Sequence, residues 1–279
     1  MTLALELHKK TVHALSQTGQ MSRSELLGVF EEEVGVDQEL LDLMSKHSKV
    51  EGTSISKSSN SAFGPELLDL ALLWRAFISI LPLTTVEFGS GYSTKILSKA
   101  ALVCRNRFGN LPFNIERHSS QPFSVFSLDE SRKWQKIARE RLTPEEEECA
   151  YFSVHRVKRD RRERGAITTY GSLPDVKPDL LFLDGPSQFA NRAKINGLSA
   201  YGKNKFPISS DALFYEWSME PGATIVVDGR KQNVEFLQGS LQRDWEIQEL
   251  ENCDFTVMTL VSGELGLQNK LKLEWQLEN

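Results

Sequence analysis

The chain has 279 residues, of which 40% are hydrophobic and 25% charged, with a formal net charge of −5. That length holds one large domain, or one domain with a substantial appendage. The ordinary globular composition and negative balance argue against nucleic acid or an anionic membrane as the main partner, and no apolar run approaches the ~20 residues that cross a bilayer.

Polar and charged residues enter the first stretch, MTLALELHKKTVHALSQ, too early for a secretory signal. Cys104, Cys149 and Cys253 are far apart and odd in number, and neither they nor the five histidines show metal-ligand spacing. Reduced thiols in a cytoplasmic protein are expected. Leu26, Leu27, Phe30 and Val34, then Leu40, Leu41, Leu43 and Met44, recur at helical spacing. Residues 1–60 are therefore expected to form a helical extension ending in a Ser-rich linker, EGTSISKSSNSAFGP at 51–65. Three roles are open for it: a cap over a cleft, a homodimer contact, or a cover for one sheet face. The main domain is expected over 61–279.

Pro65 can open the next helix, ELLDLALLWRAFISIL, and a strand at 84–88 then leads into a glycine turn and a helix beginning YSTKILSKAALVC. Residues 105–122 have no clean period and are expected to be an insertion. Strands are expected at 123–129, 151–158, 179–186 and 223–230, with helices at 130–142, about 210–219 and 231–242. Two closing strands fall near 245–250 and 254–261. Short apolar runs such as DLLFLDGP and ATIVVDGR, each ending in an acid, suit buried parallel strands. Strands alternating with helices imply an open α/β sheet, whose ligand sites lie beyond the carboxyl ends of the strands. Trp74, Trp217 and Trp245 are expected in the core. The run KRDRRERG at 158–165 is either a solvated loop or an attractor for an anionic substrate.

The turn VEFGSGYST at 86–94 carries the first chemical signal. Gly89 and Gly91 allow backbone N–H groups to approach a ligand at a helix N-terminus, although a tight turn with no ligand has the same pattern. Thr94 stands where a dinucleotide site wants a third small residue, and the carboxylate of Glu87 would repel a pyrophosphate while attracting a cation.

VEFGSGYST resembles the first motif of class I S-adenosylmethionine-dependent methyltransferases, in a small-molecule methyltransferase-like subset. The resemblance covers about residues 65–262. It implies a Rossmann-like, mostly parallel sheet with an antiparallel closing strand, flanked by helices. It implies that Glu87, Phe88, Gly89, Ser90 and Gly91 line the cofactor, with Tyr92, Ser93 and Thr94 opening the helix beside it. In FSLDESRKW, Asp129 corresponds to the acid that accepts both ribose hydroxyls, because Trp134 follows at the subset's spacing; Glu130 is the fallback. Asp129 capping the following helix is the structural alternative. In PDLLFLDGP, Asp184 would reach the cleft between cofactor and substrate, with Gly185 and Pro186 shaping the turn and Arg192 left for an acidic or phosphorylated substrate. Asp184 and Asp228 also occupy the places where catechol-type relatives share a divalent cation such as magnesium. Gly229 replaces the usual Asn there, and no third ligand is assignable, so metal ligation stays open beside a general-base role for either acid.

The resemblance thus implies methyl transfer from S-adenosylmethionine to a small-molecule nucleophile, a hydroxyl first among them. A non-catalytic methyltransferase-like module that binds cofactor or partner is the alternative. An aminopropyl transferase lacks its paired-acid signature here, and a nicotinamide oxidoreductase is disfavoured by Glu87 and Thr94.

Overall fold

The structure, a computed structural model, describes residues 2–46, 65–109, 111, 115, 121–162, 165–192, 194–195, 197–199, 201–202, 207–251 and 253–279. The expected linker at 51–65 lies outside them apart from Pro65, as do part of the expected insertion and Glu163 and Arg164 of the charge run.

Thr2 caps α1 (Leu3–Gly19) by accepting from the Leu5 N–H. A Ser22–Glu25 capping box starts α2 (Arg23–Gly28), which continues into a π-helical segment, Val29–Val34, and is followed by α3 (Gln38–Lys46). Next, α4 (Leu67–Ile80) buries most of its surface, as its dense apolar sequence requires. The chain then runs through β1 (Thr84–Phe88), α5 (Tyr92–Arg107), β2 (Ser124–Asp129), α6 (Arg132–Glu140), α7 (Pro144–Glu147) and β3 (Ala150–Val154). A hairpin of β4 (Val157–Arg162) and β5 (Gly165–Tyr170) follows, then β6 (Leu180–Leu183) and the small pair β7 (Lys194–Ile195) and β8 (Leu198–Ser199). The remainder is α8 (Ala212–Tyr215), β9 (Thr224–Asp228), α9 (Lys231–Gln238), β10 (Trp245–Glu249), β11 (Phe255–Leu260) and α10 (Gly266–Glu278).

The main sheet has seven strands in the order β10-β11-β9-β6-β1-β2-β3, and β11 alone runs antiparallel to its neighbours. This is the expected mostly parallel sheet with an antiparallel closing strand. Both faces are covered, so β1 and β6 are buried at every residue and show no polar alternation. One apolar cluster includes Phe77, Leu97 and Phe182; a second includes Phe88, Leu183 and Met258. From β1 the chain builds outward through β2 and β3, then returns to β1's other side at β6. The order therefore reverses between β1 and β6, where an open sheet leaves a crevice at its carboxyl edge.

At the N-terminus, α1 lies beside the main sheet. It packs along α4 and α10 and touches β10 and β11. Ser79 bonds Thr11 across this contact at 3.1 Å, and Lys10 reaches the Gln276 carbonyl at 2.8 Å. His8 Nδ1 meets Thr259 Oγ1 at 2.9 Å, and burial lowers its pKa. No described helix is long and apolar enough to cross a membrane.

Three expectations need correction. Residues 151–158 are not one strand: β3 stops at Val154, and the chain restarts at Val157 in a separate hairpin. β3 is the edge of the main sheet, so the chain beyond it pairs with its own continuation. Trp217 is 69% exposed, with the Arg243 guanidinium 6.0 Å from its ring, whereas Trp74 is buried and Trp245 half-buried. Lastly, the helix expected over 210–219 is only the four-residue α8. The structure also adds α10, which the sequence pattern did not suggest. Cys104, Cys149 and Cys253 are free thiols, the first two buried.

Candidate functional site

Two glycine turns interlock at the reversal point. Gly89 leaves β1 at φ +97°, a conformation that favours glycine. A Cβ on it would meet the Gly185 nitrogen at 3.0 Å. A Cβ on Gly185 would lie 2.7 Å from the Gly89 nitrogen, 2.8 Å from the Phe88 carbonyl carbon and 2.6 Å from the Tyr170 hydroxyl. Backbone bonds lock the ends of β2, β1 and β6 together, from Gly89 N–H to the Leu128 carbonyl at 2.7 Å and from Asp184 N–H to the Phe88 carbonyl at 3.0 Å. Gly185→Ala should therefore force the two turns apart. An overpacking cost of about 2–3 kcal/mol corresponds to a melting temperature lower by roughly 5–10 °C. Calorimetric melting checks this, and an unaltered midpoint would refute the tight contact.

Gly91 has an extended φ of −172° that any residue can adopt, and a Cβ on it would meet only the Ser93 hydroxyl at 3.9 Å. The Gly91 N–H donates to Thr94 Oγ1 at 3.0 Å, and the Thr94 hydroxyl donates to Glu87 Oε2 at 2.6 Å. Thr94, anomalous for a dinucleotide site, is thus the link between the turn and the buried acid. The strand register sets Ser127 beside Glu87, and its hydroxyl also donates to Oε2 at 2.6 Å. Ser127 in turn accepts from the Ser90 hydroxyl, 2.8 Å away, since its own proton is committed. Glu87 has no exposed surface, and Oε1 lacks any hydrogen-bond partner among the described residues. Burial pushes its pKa up to about 7 against the hydroxyl bonds that favour the ionised form.

Asp129 ends β2. Its Oδ2 accepts from Ser90 N–H at 2.8 Å and its Oδ1 from Ser131 N–H at 2.6 Å. A carboxylate has about four acceptor positions, so each oxygen keeps one for a ligand. Ser131 itself caps α6 by accepting from the Trp134 N–H. Burial, with the charge of Glu130 next, pushes Asp129 up to about 7. Glu130 is also raised by burial; the Tyr170 hydroxyl donates to it at 3.5 Å.

Asp184 follows β6 with an exposed side chain, yet protein surrounds it closely enough for desolvation to raise its pKa, as on the floor of a concave site. Arg230 opposes that rise and Glu66, at the start of α4, adds to it. The register Leu183↔Val227 sets Asp184 and Asp228 side by side at adjoining strand ends. Gly185 and Pro186 are buried behind them. Arg192 is exposed on the loop after β6, where its Nη2 bonds the Tyr201 hydroxyl at 3.1 Å and its guanidinium lies over that ring.

The donor set does not fit a metal. Among the described residues no group of three or more His, Cys, Asp or Glu could hold one, and Gly229, which follows Asp228, has no side chain to add a third ligand. The set does fit a nucleoside with cationic groups: Glu87 Oε1 lacks a donor, Asp129 has acceptor positions to spare, and the glycine turn is open around Gly91. Sequence reasoning missed Ser127, Tyr170 and Arg230. Ser127 lies two residues before Asp129 on the strand, which could have drawn attention to it; the others depend on a hairpin and a burial that the pattern does not show.

No protein-family model matches the chain, and no curated protein matches it. Among solved structures, it is similar to the O-methyltransferase TomG from Streptomyces achromogenes, involved in tomaymycin synthesis and crystallised with SAM. That pair shares 15% identity over 87% of this chain and all of the other, with a TM-score of 0.42. An O-methyltransferase from Bacillus cereus in complex with SAH gives 13% identity, 84% and 95% coverage, and a TM-score of 0.41. Likeness at that level carries no argument about chemistry, which rests on the residues above.

Proposed function

We propose that this chain is an S-adenosylmethionine-dependent methyltransferase acting on a small-molecule nucleophile, with a hydroxyl as the favoured acceptor. The observation that carries the proposal is the join between Asp129 and the glycine turn at the sheet's reversal point. Around it stand Glu87, Glu130 and Asp184, all with raised pKa values. Four acids there suit a ligand with cationic groups and would repel a pyrophosphate.

In this assignment Asp129 holds the ribose hydroxyls. Phe88–Gly91 cradle the amino-acid end, with Glu87 as a buried counter-charge, and Tyr92, Ser93 and Thr94 open α5 beside it. Gly185 and Pro186 shape the facing wall. The bound cofactor supplies an electrophilic sulfonium methyl. The acceptor side is bounded by the β4–β5 hairpin and the loop carrying Arg192, a candidate contact for an anionic group on the acceptor. Asp184, its pKa raised by burial, is placed to take the acceptor's proton, with Asp228 beside it at the next strand end. Most of the rate gain would come from holding the nucleophile close and collinear with the methyl. Residues 1–60 would serve as a cover to the 61–279 domain, and the protein would act in the cytoplasm.

Titration calorimetry tests the assignment. S-adenosylhomocysteine should bind one per chain with a Kd in the micromolar range (about −8 kcal/mol), and NAD should give no heat. Absence of S-adenosylhomocysteine binding would overturn it.

A further inference from the structure

Arg230 opens α9, one residue after Gly229, and is 8% exposed. Its Nη2 donates to the Asp184 carbonyl and, at 3.1 Å, to the Pro186 carbonyl; Nη1 reaches the Pro207 carbonyl at 3.5 Å. One guanidinium therefore fastens the turn after β6, the segment before α8 and the end of β9. Asn233, one helical turn on, continues the same seam: its Oδ1 accepts from Ser209 N–H at 2.6 Å and its Nδ2 donates to the Ser209 carbonyl at 3.0 Å. The charge of Arg230 is felt by Asp184, Glu130 and Tyr170.

A guanidinium keeps its charge at any working pH and its planar fork can bond several carbonyls at once. Burying one is costly unless it is well bonded, so its position marks where the fold demands a cation. We propose that Arg230 is the built-in cation of this cleft, taking the place a divalent ion would hold beside Asp184 and Asp228. Its grip on the Asp184–Pro186 turn positions that turn against Gly89. Arg230 is thus a positioning residue: it acts on the cofactor turn through the Gly185–Gly89 contact and leaves the acids without a metal. This rests on the proposed cofactor assignment only for its affinity readout.

The experiment uses the full chain in three arms. Manganese(II) added to wild type should keep its free electron paramagnetic resonance signal, and S-adenosylhomocysteine affinity should be the same with and without EDTA. Stoichiometric manganese binding lost in Asp184→Asn or Asp228→Asn would overturn the proposal. Arg230→Ala should weaken S-adenosylhomocysteine at least tenfold, with methylguanidinium, but not methylammonium, restoring it; unchanged affinity would refute the positioning role. Should that variant fail to fold, Arg230→Lys, which keeps the charge but loses the fork, should show the same weakening in smaller degree. Hydrogen exchange over residues 184–190 should rise in either variant. That arm and the manganese arm need no cofactor, so they decide the matter even if S-adenosylhomocysteine does not bind wild type.

Discussion

Asp129→Ala is expected to weaken S-adenosylhomocysteine binding by a hundredfold or more while leaving the protein folded. In the proposed assignment the lost interactions are two hydrogen bonds from ribose hydroxyls to a charged acceptor, each worth about 1.5–3 kcal/mol. Together they correspond to roughly 10²–10⁴ in Kd. The Ser90 and Ser131 N–H groups also lose their partner, but both residues are only partly buried and water can replace it. Asp129→Asn separates the two roles of the side chain. An amide has one acceptor oxygen, so it can keep Ser90 or Ser131 but must turn an NH₂ toward the other. Its affinity should fall nearly as far as that of the alanine variant. Glu130→Gln is the necessary control, because Glu130 was the fallback for the ribose and lies beside the same turn. Calorimetry on the three variants decides: a large loss confined to Glu130→Gln would move the ribose site by one residue, and no loss in any would refute the site.

Some of this cleft could be read from the sequence because it obeys local rules. A short apolar stretch followed by an acid and two glycines led to β1 and its turn, and Thr84–Phe88 is the strand observed. Acids at the ends of DLLFLDGP and ATIVVDGR marked strand ends that the register then set side by side. What escaped was polar burial. α10 buries Asn269, Lys272 and Gln276 alongside Leu273, so its inner face has no apolar period. Those side chains find partners at long range: Lys272 in Asp179 and Glu220 at 2.8 Å each, Asn269 in the Pro221 carbonyl and the Gln276 Nε2 in the Ile80 carbonyl, while Gln276 Oε1 has no partner among the described residues. Arg230 escaped for the same reason, since an arginine that bonds carbonyls from two loops looks, in sequence, like any exposed one. The β4–β5 hairpin was hidden by alternation that runs on through His155 and Arg156, although the strand changes sheets there. Trp217 shows the converse error, a large apolar residue left on the surface.

Stability of the free protein should fall as pH rises from 5 to 8, and the cofactor should reverse that fall. Glu87 and Asp129 each have a folded pKa near 7, against ordinary values of 4.5 and 3.8, with burial as the main cause. Between those limits the native state holds protons that the unfolded chain has released, so unfolding becomes easier as pH climbs. Their contribution is fully present below the unfolded values and gone above about 7. Asp211, raised to about 6, and Glu130 and Asp184, also raised, act in the same direction. His8, lowered by burial, opposes them below its ordinary value of 6.5, one group against five. The net effect should be a few kcal/mol at one pKa unit per ~1.4 kcal/mol, lowering the melting temperature by several degrees between pH 5 and 8. Glu87→Gln removes the titrating carboxyl and keeps its shape, so it should flatten the slope and melt above wild type at pH 8. A cationic cofactor favours the ionised acids, so its binding should release protons near pH 6.5 and tighten toward pH 8. Calorimetry in buffers of different ionisation enthalpy counts those protons. A melting temperature that is flat or rising from pH 5 to 8, with no proton release, would mean that the buried acids are not what makes this cleft wait for a cation.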